Sequence, residues 1–345
     1  MPDIVRKIDA VNLAVIGLGK MGLSHLAIAN ALDQFNVKYL VEKGRLARRL
    51  LKAGEIEVCE SPEKAISDSE VNALIIATPT HTHYEIAKSA LNAGKHVFLE
   101  KPMTTGPQHS DELVKLSIEK NQVLQIGYVN RFNPVFQFAK SLVDRGSIGE
   151  IKHVISSMRG GVVVETPGKG WRNDSSKGGG ALLDYGSHAI DILLMFMGPE
   201  VNLEFSQMHS IYSQDAEDVA NLWIRGNSDS VGIVSVNWSD VSKRKAENEV
   251  EVQGSGGKLV ASKQEVRVFA LEKHTATSIS QGWNRFSIAD IDTSTEYYLR
   301  GEEFTSQLVT FAESIRSGSV NWHSSLKQSC LVDSLMNEAK NRAKK

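Results

Sequence analysis

The chain has 345 residues, of which 41% are hydrophobic and 23% are charged. This length allows about two domains with cores of their own, and the composition excludes an intrinsically disordered chain. The formal net charge of -2 disfavours binding to nucleic acid or anionic lipid, because both attract strongly basic proteins.

The sequence also bears on the cellular compartment. The segment Met1–Ala10 is charged and lacks the apolar stretch of a signal peptide. No apolar run reaches the ~20 residues of a membrane span. The cysteines Cys59 and Cys330 lie far apart and match no disulfide or metal pattern. We therefore expect a cytoplasmic protein with reduced thiols.

Strands alternate with helices over residues 1–130. Five apolar segments are predicted as strands: Val11–Ile16, Val37–Val41, Val71–Ala77, Val97–Leu99 and Val123–Tyr128. The segments between them, such as Leu23–Leu32, have helical spacing. This alternation is typical of parallel strands joined by right-handed crossovers. It predicts an α/β fold that begins with a Rossmann-type parallel sheet.

Residues 131–345 follow a different pattern. Pro134 opens one predicted helix and Gly146 closes it. Predicted strands then follow one another: Ile151–Met158, Val201–Ser213, Val219–Arg225, Val231–Trp238, Val250–Gln253, Lys258–Ala261 and Val266–Leu271. Strands without intervening helices predict one large, mostly antiparallel sheet. The helices Glu302–Ser317 and Ser324–Lys344 are predicted to complete this second domain.

Both faces of the second sheet carry apolar residues. Within Val231–Trp238, Val231 and Ile233 share one face, while Val234 and Val236 share the other. We expect helices to cover one face and a second subunit to cover the other. No flexible linker separates the two domains, so we also expect a cleft where they meet.

A glycine-rich turn, Gly17-Leu18-Gly19-Lys20-Met21-Gly22, follows the first strand and opens the first helix. In such a turn, the first glycine permits the bend, the second lets a pyrophosphate approach and the third lets the helix pack closely. The amides at the helix N-terminus, including those of Lys20 and Met21, attract phosphate groups. The turn and its surroundings predict a dinucleotide site.

The choice between NAD and NADP depends on Glu42, which ends the second strand about 20 residues after Gly22. Its carboxylate would accept hydrogen bonds from ribose hydroxyls and would repel a 2′-phosphate, which favours NAD. The neighbouring cations Lys43 and Arg45 would instead attract that phosphate, so NADP remains an alternative.

Three further segments carry groups suited to chemistry. Ala77–His83 and Glu100-Lys101-Pro102 each follow a predicted strand, at the edge where open α/β sheets bind ligands. Gly178–His188 leads into an apolar helix. Lys101 is suited to stabilising a developing alkoxide, and His188 is suited to proton transfer because an unperturbed histidine titrates near neutral pH.

In an α-helix, the spacing of four between Asp184 and His188 would place both side chains on one face. A structural pair is an alternative to a catalytic one. Gly186 between them is expected to let a substrate approach the backbone. A metal site would need His81 and His83 as well, and no zinc-binding pattern supports it, so we predict no metal.

These segments resemble the Gfo/Idh/MocA oxidoreductases, which include glucose-fructose oxidoreductase and inositol dehydrogenase. The resemblance rests on AVIGLGKMG, IIATPTHTHYEIAKSALNAGKHVFLEKPM, GYVNRFNP and GGGALLDYGSHAIDILLMFMG, which occur in the order found in the family. It implies a Rossmann domain over 1–130 and a substrate-binding and oligomerisation domain over 131–345. It also implies a homodimer or homotetramer formed through the second sheet.

The resemblance further implies roles for single residues. Lys101, Asp184 and His188 match the catalytic residues of the family. The implied dinucleotide contacts are Gly17, Gly19, Lys20, Met21, Gly22, Glu42, Thr78, Pro79, His83, Glu100 and Lys101. The candidate substrate contacts are Arg131, Trp171 and Arg172.

The implied reaction transfers hydride between nicotinamide and a secondary alcohol of a sugar, sugar acid, nucleotide sugar or cyclitol. His188 would take the hydroxyl proton, Lys101 would stabilise the negative oxygen, and Asp184 would orient His188 or a substrate hydroxyl. Two alternatives remain open. One is a glycosidase that uses NAD only transiently, and the other is a regulator that binds the dinucleotide without chemistry.

Four basic residues are candidates for contact with an anionic substrate: Arg131, Lys169, Arg172 and Lys177. Around a cleft they would suit a carboxylate or phosphate, as in a sugar acid or nucleotide sugar. As solvated loop charges they would carry no such information.

Overall fold

The structure is a computed structural model that describes residues 10–44, 56–161, 179–213, 215–291, 295–318 and 325–343. Its internal contacts divide the chain into two compact units. The first comprises Met1–Val129 and Ser294–Leu326, and the second comprises Asn130–Thr293 and Lys327–Lys345. Each unit contains one β-sheet.

The first unit contains a six-stranded sheet. Its strands are β1 (Val11–Ile16), β2 (Phe35–Val41), β3 (Glu57–Cys59), β4 (Ala73–Ile76), β5 (His96–Leu99) and β6 (Leu124–Ile126). Their order is β3-β2-β1-β4-β5-β6, and all neighbouring pairs are parallel. The predicted Rossmann-type sheet is confirmed. The chain reverses its direction of progress between β1 and β4, and such a point is where these sheets bind ligands.

Eight α-helices lie in the part of the chain that the structure describes. They are α1 (Lys20–Ala31), α2 (Glu63–Ser67), α3 (His83–Asn92), α4 (Pro107–Glu119), α5 (Pro134–Asp144), α6 (Ser187–Met197), α7 (Glu302–Ser317) and α8 (Leu326–Ala343). Helices α1 to α4 and α7 belong to the first unit, while α5, α6 and nearly all of α8 belong to the second. None of these described helices combines the length and apolar character that crossing a bilayer requires.

Helix α7 lies in the first unit, which differs from the division at residue 130 expected from the sequence. Phe311 on α7 packs edge-on against Phe98 of β5, with ring centroids 5.8 Å apart. The side-chain amide of Gln125 donates a hydrogen bond to the Gln307 carbonyl oxygen at 2.7 Å. The apolar spacing of α7 suits either core, so sequence order alone did not reveal this return.

The second unit contains an eight-stranded sheet. Its strands are β7 (Ile151–Arg159), β8 (Asn202–His209), β9 (Val219–Arg225), β10 (Val231–Asn237), β11 (Glu247–Gly254), β12 (Gly257–Ser262), β13 (Glu265–Ala270) and β14 (Gly282–Ser287). Their order is β14-β13-β12-β11-β7-β10-β9-β8. Strands β7 and β10 are parallel, and the other pairs are antiparallel. The prediction of a large, mostly antiparallel sheet is confirmed.

The two faces of this sheet differ. Helix α6 packs on β7 and β10, and Val234 and Val236 on β10 are fully buried. On the other face, Phe205 and Trp223 are 51% and 44% exposed, and their rings pack edge-on at 6.2 Å. Val231 is also exposed. The second face therefore presents an apolar surface, hereafter the open face.

Candidate functional site

The glycine turn between β1 and α1 leaves room for a ligand only where the sequence analysis expects a pyrophosphate. Gly17 has a φ of +87°, and a Cβ there would lie 2.8 Å from the Ala77 carbonyl oxygen and from Thr78 Cγ2. A Cβ on Gly22 would lie 1.8 Å from the Gly17 carbonyl oxygen. A Cβ on Gly19 would meet no described atom within 4 Å. The first and third glycines are thus required by packing, while the second faces open space.

The chemistry-bearing segments of the first unit meet at one edge of the sheet. Because β1, β2, β4 and β5 are parallel, their carboxyl ends lie along the same edge. The residues that follow these ends are Gly17, Glu42, Ala77-Thr78 and Glu100-Lys101. The chain therefore brings the glycine turn, the acidic residue and Lys101 to the ligand-binding edge of a Rossmann sheet.

Glu42 is tied to the glycine turn. Its Oε2 accepts a hydrogen bond from the Leu18 amide at 3.0 Å, and its Oε1 accepts one from the Gly44 amide at 2.9 Å. A carboxylate has about four lone-pair sites, so two remain for ribose hydroxyls. Lys43 beside it is exposed, and Arg45 lies outside the described residues.

Three more of the residues predicted to contact the dinucleotide differ in exposure. Lys20 and Pro79 are exposed, and Met21 is half-buried. Lys20 is the first residue of α1, and Pro79 precedes a single 3-10 turn over Thr80–Thr82. The predicted dinucleotide contacts of all three residues stay predictions.

Glu100 is almost fully buried, although the sequence analysis placed it against the dinucleotide. Its Oε1 lies 2.7 Å from Nε2 of the buried His25 on α1. Its Oε2 accepts a hydrogen bond from the Lys101 backbone amide at 3.2 Å. The described contacts of this carboxylate thus lie inside the protein, and His25 is a partner that sequence reasoning missed.

His83 is also buried, and its ring nitrogens face backbone carbonyl groups. Nε2 lies 2.9 Å from the Thr78 oxygen, and Nδ1 lies 3.1 Å from the Pro102 oxygen and 3.3 Å from the Met103 oxygen. Burial lowers the pKa of His83, against the opposing effect of these carbonyl groups and of Glu100. This geometry favours a bracing role between two loops over the expected contact with the dinucleotide.

The metal alternative involved His81 and His83. His81 is exposed on the 3-10 turn, whereas His83 is turned inward to carbonyl oxygens. Within the described ranges, no group of three or more His, Cys, Asp or Glu side chains has an arrangement that could hold a metal ion.

Asp184 and His188 stand at the start of the apolar helix in the second unit. Asp184 lies in a π-helical turn over Leu182–Gly186, and His188 is the second residue of α6. Both side chains are half-buried. The expected regular α-helical face is therefore interrupted, and π-turns of this kind occur frequently at functional sites.

Two buried asparagines extend from His188. Asn130 Nδ2 lies 3.5 Å from His188 Nδ1, and Asn248 Nδ2 lies 3.5 Å from Asn130 Oδ1. Asn130 and Asn248 are 1% and 3% exposed. A group beside Nδ1 orients an imidazole ring so that Nε2 is available for proton transfer. Sequence reasoning missed both asparagines, because Asn130 and Asn248, which lies on β11, are both far from His188 in the chain.

The glycines around Asp184 serve packing. Gly180 has a φ of +116°, and a Cβ there would lie 2.2 Å from Glu217 Oε1, which accepts a hydrogen bond from the Leu182 amide at 3.0 Å. A Cβ on Gly186 would lie 2.8 Å from the Leu182 side chain. The expectation that Gly186 leaves room for a substrate is therefore wrong, because that space is filled by Leu182.

Arg131 was expected to contact substrate, but its side chain is only 4% exposed. Its Nε donates to both carboxylate oxygens of Asp191, at 2.8 and 3.0 Å, and a terminal nitrogen donates to Ser329 Oγ at 3.2 Å. This buried ion pair favours a structural role. The other candidates, Trp171 and Arg172, and the loop cations Lys169 and Lys177, lie outside the described residues.

Two family models match the chain. One, described as an oxidoreductase family with an NAD-binding Rossmann fold, matches residues 11–128. The other, the Gfo/Idh/MocA C-terminal domain, matches residues 136–260. The chain belongs to the Gfo/Idh/MocA family. The resemblance seen in the sequence is thereby confirmed, and the first match covers the six-stranded sheet with its glycine turn.

Curated relatives and solved structures are similar to this Gfo/Idh/MocA chain. It is 29% identical over 196 residues to scyllo-inositol 2-dehydrogenase (NADP(+)) of Bacillus subtilis (strain 168). This alignment covers 56% of this chain and 53% of that protein. It is 26% identical over 326 residues to scyllo-inositol 2-dehydrogenase (NAD(+)) of the same strain, which covers 89% and 87%. The structure of levoglucosan dehydrogenase with NADH and levoglucosan matches with a TM-score of 0.84 at 22% identity, over 97% of each chain. That last likeness shows the shared fold.

Proposed function

We propose that this Gfo/Idh/MocA protein is an NAD(P)-dependent dehydrogenase that acts on a secondary alcohol of a cyclitol or sugar. The observation that carries the proposal is the position of Lys101, which follows β5 at the same sheet edge as the glycine turn. The names of the relatives support the substrate class, because they specify inositols and levoglucosan. Each of these is a ring with several hydroxyl groups.

The described residues fit a bound dinucleotide. Gly19 faces open space, the first amides of α1 point outward from a helix N-terminus, and Glu42 keeps lone pairs for ribose hydroxyls. When bound, the nicotinamide would supply the acceptor or donor of hydride. Glu42 favours NAD, since its carboxylate repels a 2′-phosphate. One of the similar scyllo-inositol dehydrogenases is named for each coenzyme, so NADP remains the alternative.

Three side chains have separate roles in the proposed reaction. His188 takes the hydroxyl proton when the alcohol is oxidised and returns it in the reverse direction. Lys101 stabilises the negative charge that develops on the same oxygen. Asp184 orients His188 or a neighbouring substrate hydroxyl. The proposal needs no metal, because the ammonium group supplies the electrostatic stabilisation.

We also propose that the protein forms a homo-oligomer and is located in the cytoplasm. A homodimer or homotetramer would cover the open face, where Phe205 and Trp223 are exposed. A cytoplasmic location is supported by Cys59 and Cys330, which are not joined in a disulfide, because disulfides are rare in a reducing compartment.

A substrate panel tests the function. Inositols, levoglucosan, aldoses, sugar acids and nucleotide sugars are each incubated with NAD or NADP, and nicotinamide absorbance is recorded. We expect reduced nicotinamide to accumulate with at least one inositol or sugar. Release of an alcohol without net reduction would replace this function with the glycosidase. Dinucleotide binding without any reaction would favour the regulator.

A further inference from the structure

A buried carboxylate lies directly before Lys101. Glu100 is 8% exposed, and its partner His25 is fully buried. His25 Nε2 is 2.7 Å from one oxygen of Glu100, and the Lys101 amide donates to the other oxygen at 3.2 Å. One carboxylate therefore connects α1 to the backbone of Lys101.

The surroundings hold this pair in place. The His25 ring packs edge-on against Phe98 with centroids 5.0 Å apart. The Glu100 amide donates to the Ile76 carbonyl oxygen at 2.9 Å. On the other side, a Cβ on Gly127 would lie 3.3 Å from Glu100 Oε2. The carboxylate is thus confined among β4, β5 and the segment after β6.

The charge of Glu100 depends on this pairing. Burial raises the pKa of Glu100, but the hydrogen bond from His25 and the charges of His25 and Lys101 outweigh it, so the pKa lies below its ordinary value. A buried carboxylate without such partners is costly. His25 therefore permits an ionised carboxylate at this position.

We propose that His25 and Glu100 are positioning residues for Lys101, fixing its backbone where the chain leaves β5. This inference rests on the proposed catalytic role of Lys101. The pair acts through Lys101 and does not itself contact the substrate. It also assigns a task to Glu100 other than the dinucleotide contact predicted from the sequence.

Two substitutions of His25 test the positioning. His25→Leu keeps much of the volume but removes the donor to Glu100, while His25→Gln offers an amide N–H near the place of Nε2. Because displacing a catalytic group by about 1 Å can cost about 10²-fold in rate, we expect His25→Leu to lower kcat about 10²-fold. We expect KM and dinucleotide affinity to change little, and His25→Gln to recover most of kcat.

His96 provides the matched control. It lies at the other end of β5, and its Nδ1 accepts a hydrogen bond from the Val123 amide at 3.0 Å. His96→Leu removes a histidine hydrogen bond at the start of β5, whereas His25→Leu removes one just after the end of β5, and we expect the kcat of His96→Leu to equal that of the wild type. Thermal unfolding of every variant shows whether an equal fraction is folded.

Three results would overturn the inference. These are a wild-type kcat in folded His25→Leu, a His25→Gln variant no better than His25→Leu, or losses that track the unfolded fraction. If the wild type turns over no substrate, the proposed function fails first. Crystal structures then decide the positioning: a displaced Lys101 backbone in His25→Leu supports it, and an unchanged backbone contradicts it.

Discussion

Glu42 is the single residue that we expect to determine the choice between NAD and NADP. We expect Glu42→Ala to weaken NAD binding about tenfold or more, since hydrogen bonds to a charged group contribute about 1.5 to 3 kcal/mol. NADP binding should weaken less, because the repulsion of its 2′-phosphate is removed at the same time. Fluorescence titration with both coenzymes measures the difference. The control is Glu119→Ala, which removes an exposed carboxylate at the end of α4; equal weakening of both coenzymes by Glu42→Ala would reverse the assignment.

Glu100 makes stability depend on pH. Its folded pKa is lowered because the effects of His25 and Lys101 exceed the opposing effect of burial. Its stabilisation is therefore present above the unfolded pKa of about 4.3 and is lost as the pH falls through the lower folded pKa. We expect acidification to reduce the free energy of unfolding more in the wild type than in Glu100→Gln. Urea titrations of both proteins below neutral pH test this, and parallel curves would contradict it.

At this scale the sequence singled out candidate residues but did not reveal their partners. His83 and Glu100 stood out because they follow strand ends, but local spacing did not show that both turn inward. Arg131 was recognised as a cation near a domain boundary, yet Asp191, its partner, lies 60 residues away. Such pairings depend on how the chain returns to itself, and no local pattern encodes them.

At the start of α1, the packing role of one glycine can be distinguished from the binding role of another. Gly22→Ala places a methyl group 1.8 Å from a carbonyl oxygen, and overpacking of this kind costs about 1 to 3 kcal/mol or more. Gly19→Ala meets no described atom within 4 Å, so it should unfold like the wild type but bind dinucleotide weakly. Urea denaturation and coenzyme titration distinguish the two. Stable Gly22→Ala, or tight binding by Gly19→Ala, would contradict the turn geometry.

Two strands were not predicted from the sequence, and the physical reason is the same for both. Strand β3 has three residues, and β14 is a polar strand at the edge of the second sheet. Neither has enough apolar residues to show a period. The spacing of Asp184 and His188 was considered only for an α-helix, and no pattern in the sequence indicated the π-helical turn over Leu182–Gly186.

At the scale of the whole molecule, the open face of the second sheet should form the subunit interface. We expect Trp223→Glu to convert the assembly to monomers, because two buried carboxylates would face each other across a symmetric contact. Light scattering after size exclusion measures the mass. The control is Ile118→Glu, since Ile118 is an exposed apolar residue on α4. A wild-type monomer of 37.9 kDa, or an unchanged mass in Trp223→Glu, would contradict this interface.

We expect Lys101 to stabilise the developing alkoxide, and a variant that lacks its ammonium group tests this role. Lys101→Met keeps an unbranched side chain of nearly the same length and removes the ammonium group, with Lys115→Met on the exposed face of α4 as the control. Loss of one group that stabilises a developing oxyanion typically lowers kcat by about 10² to 10³-fold. Measured with the best substrate of the panel, Lys101→Met should lose turnover to that extent while it still binds the dinucleotide. Turnover equal to that of the wild type would remove Lys101 from the mechanism.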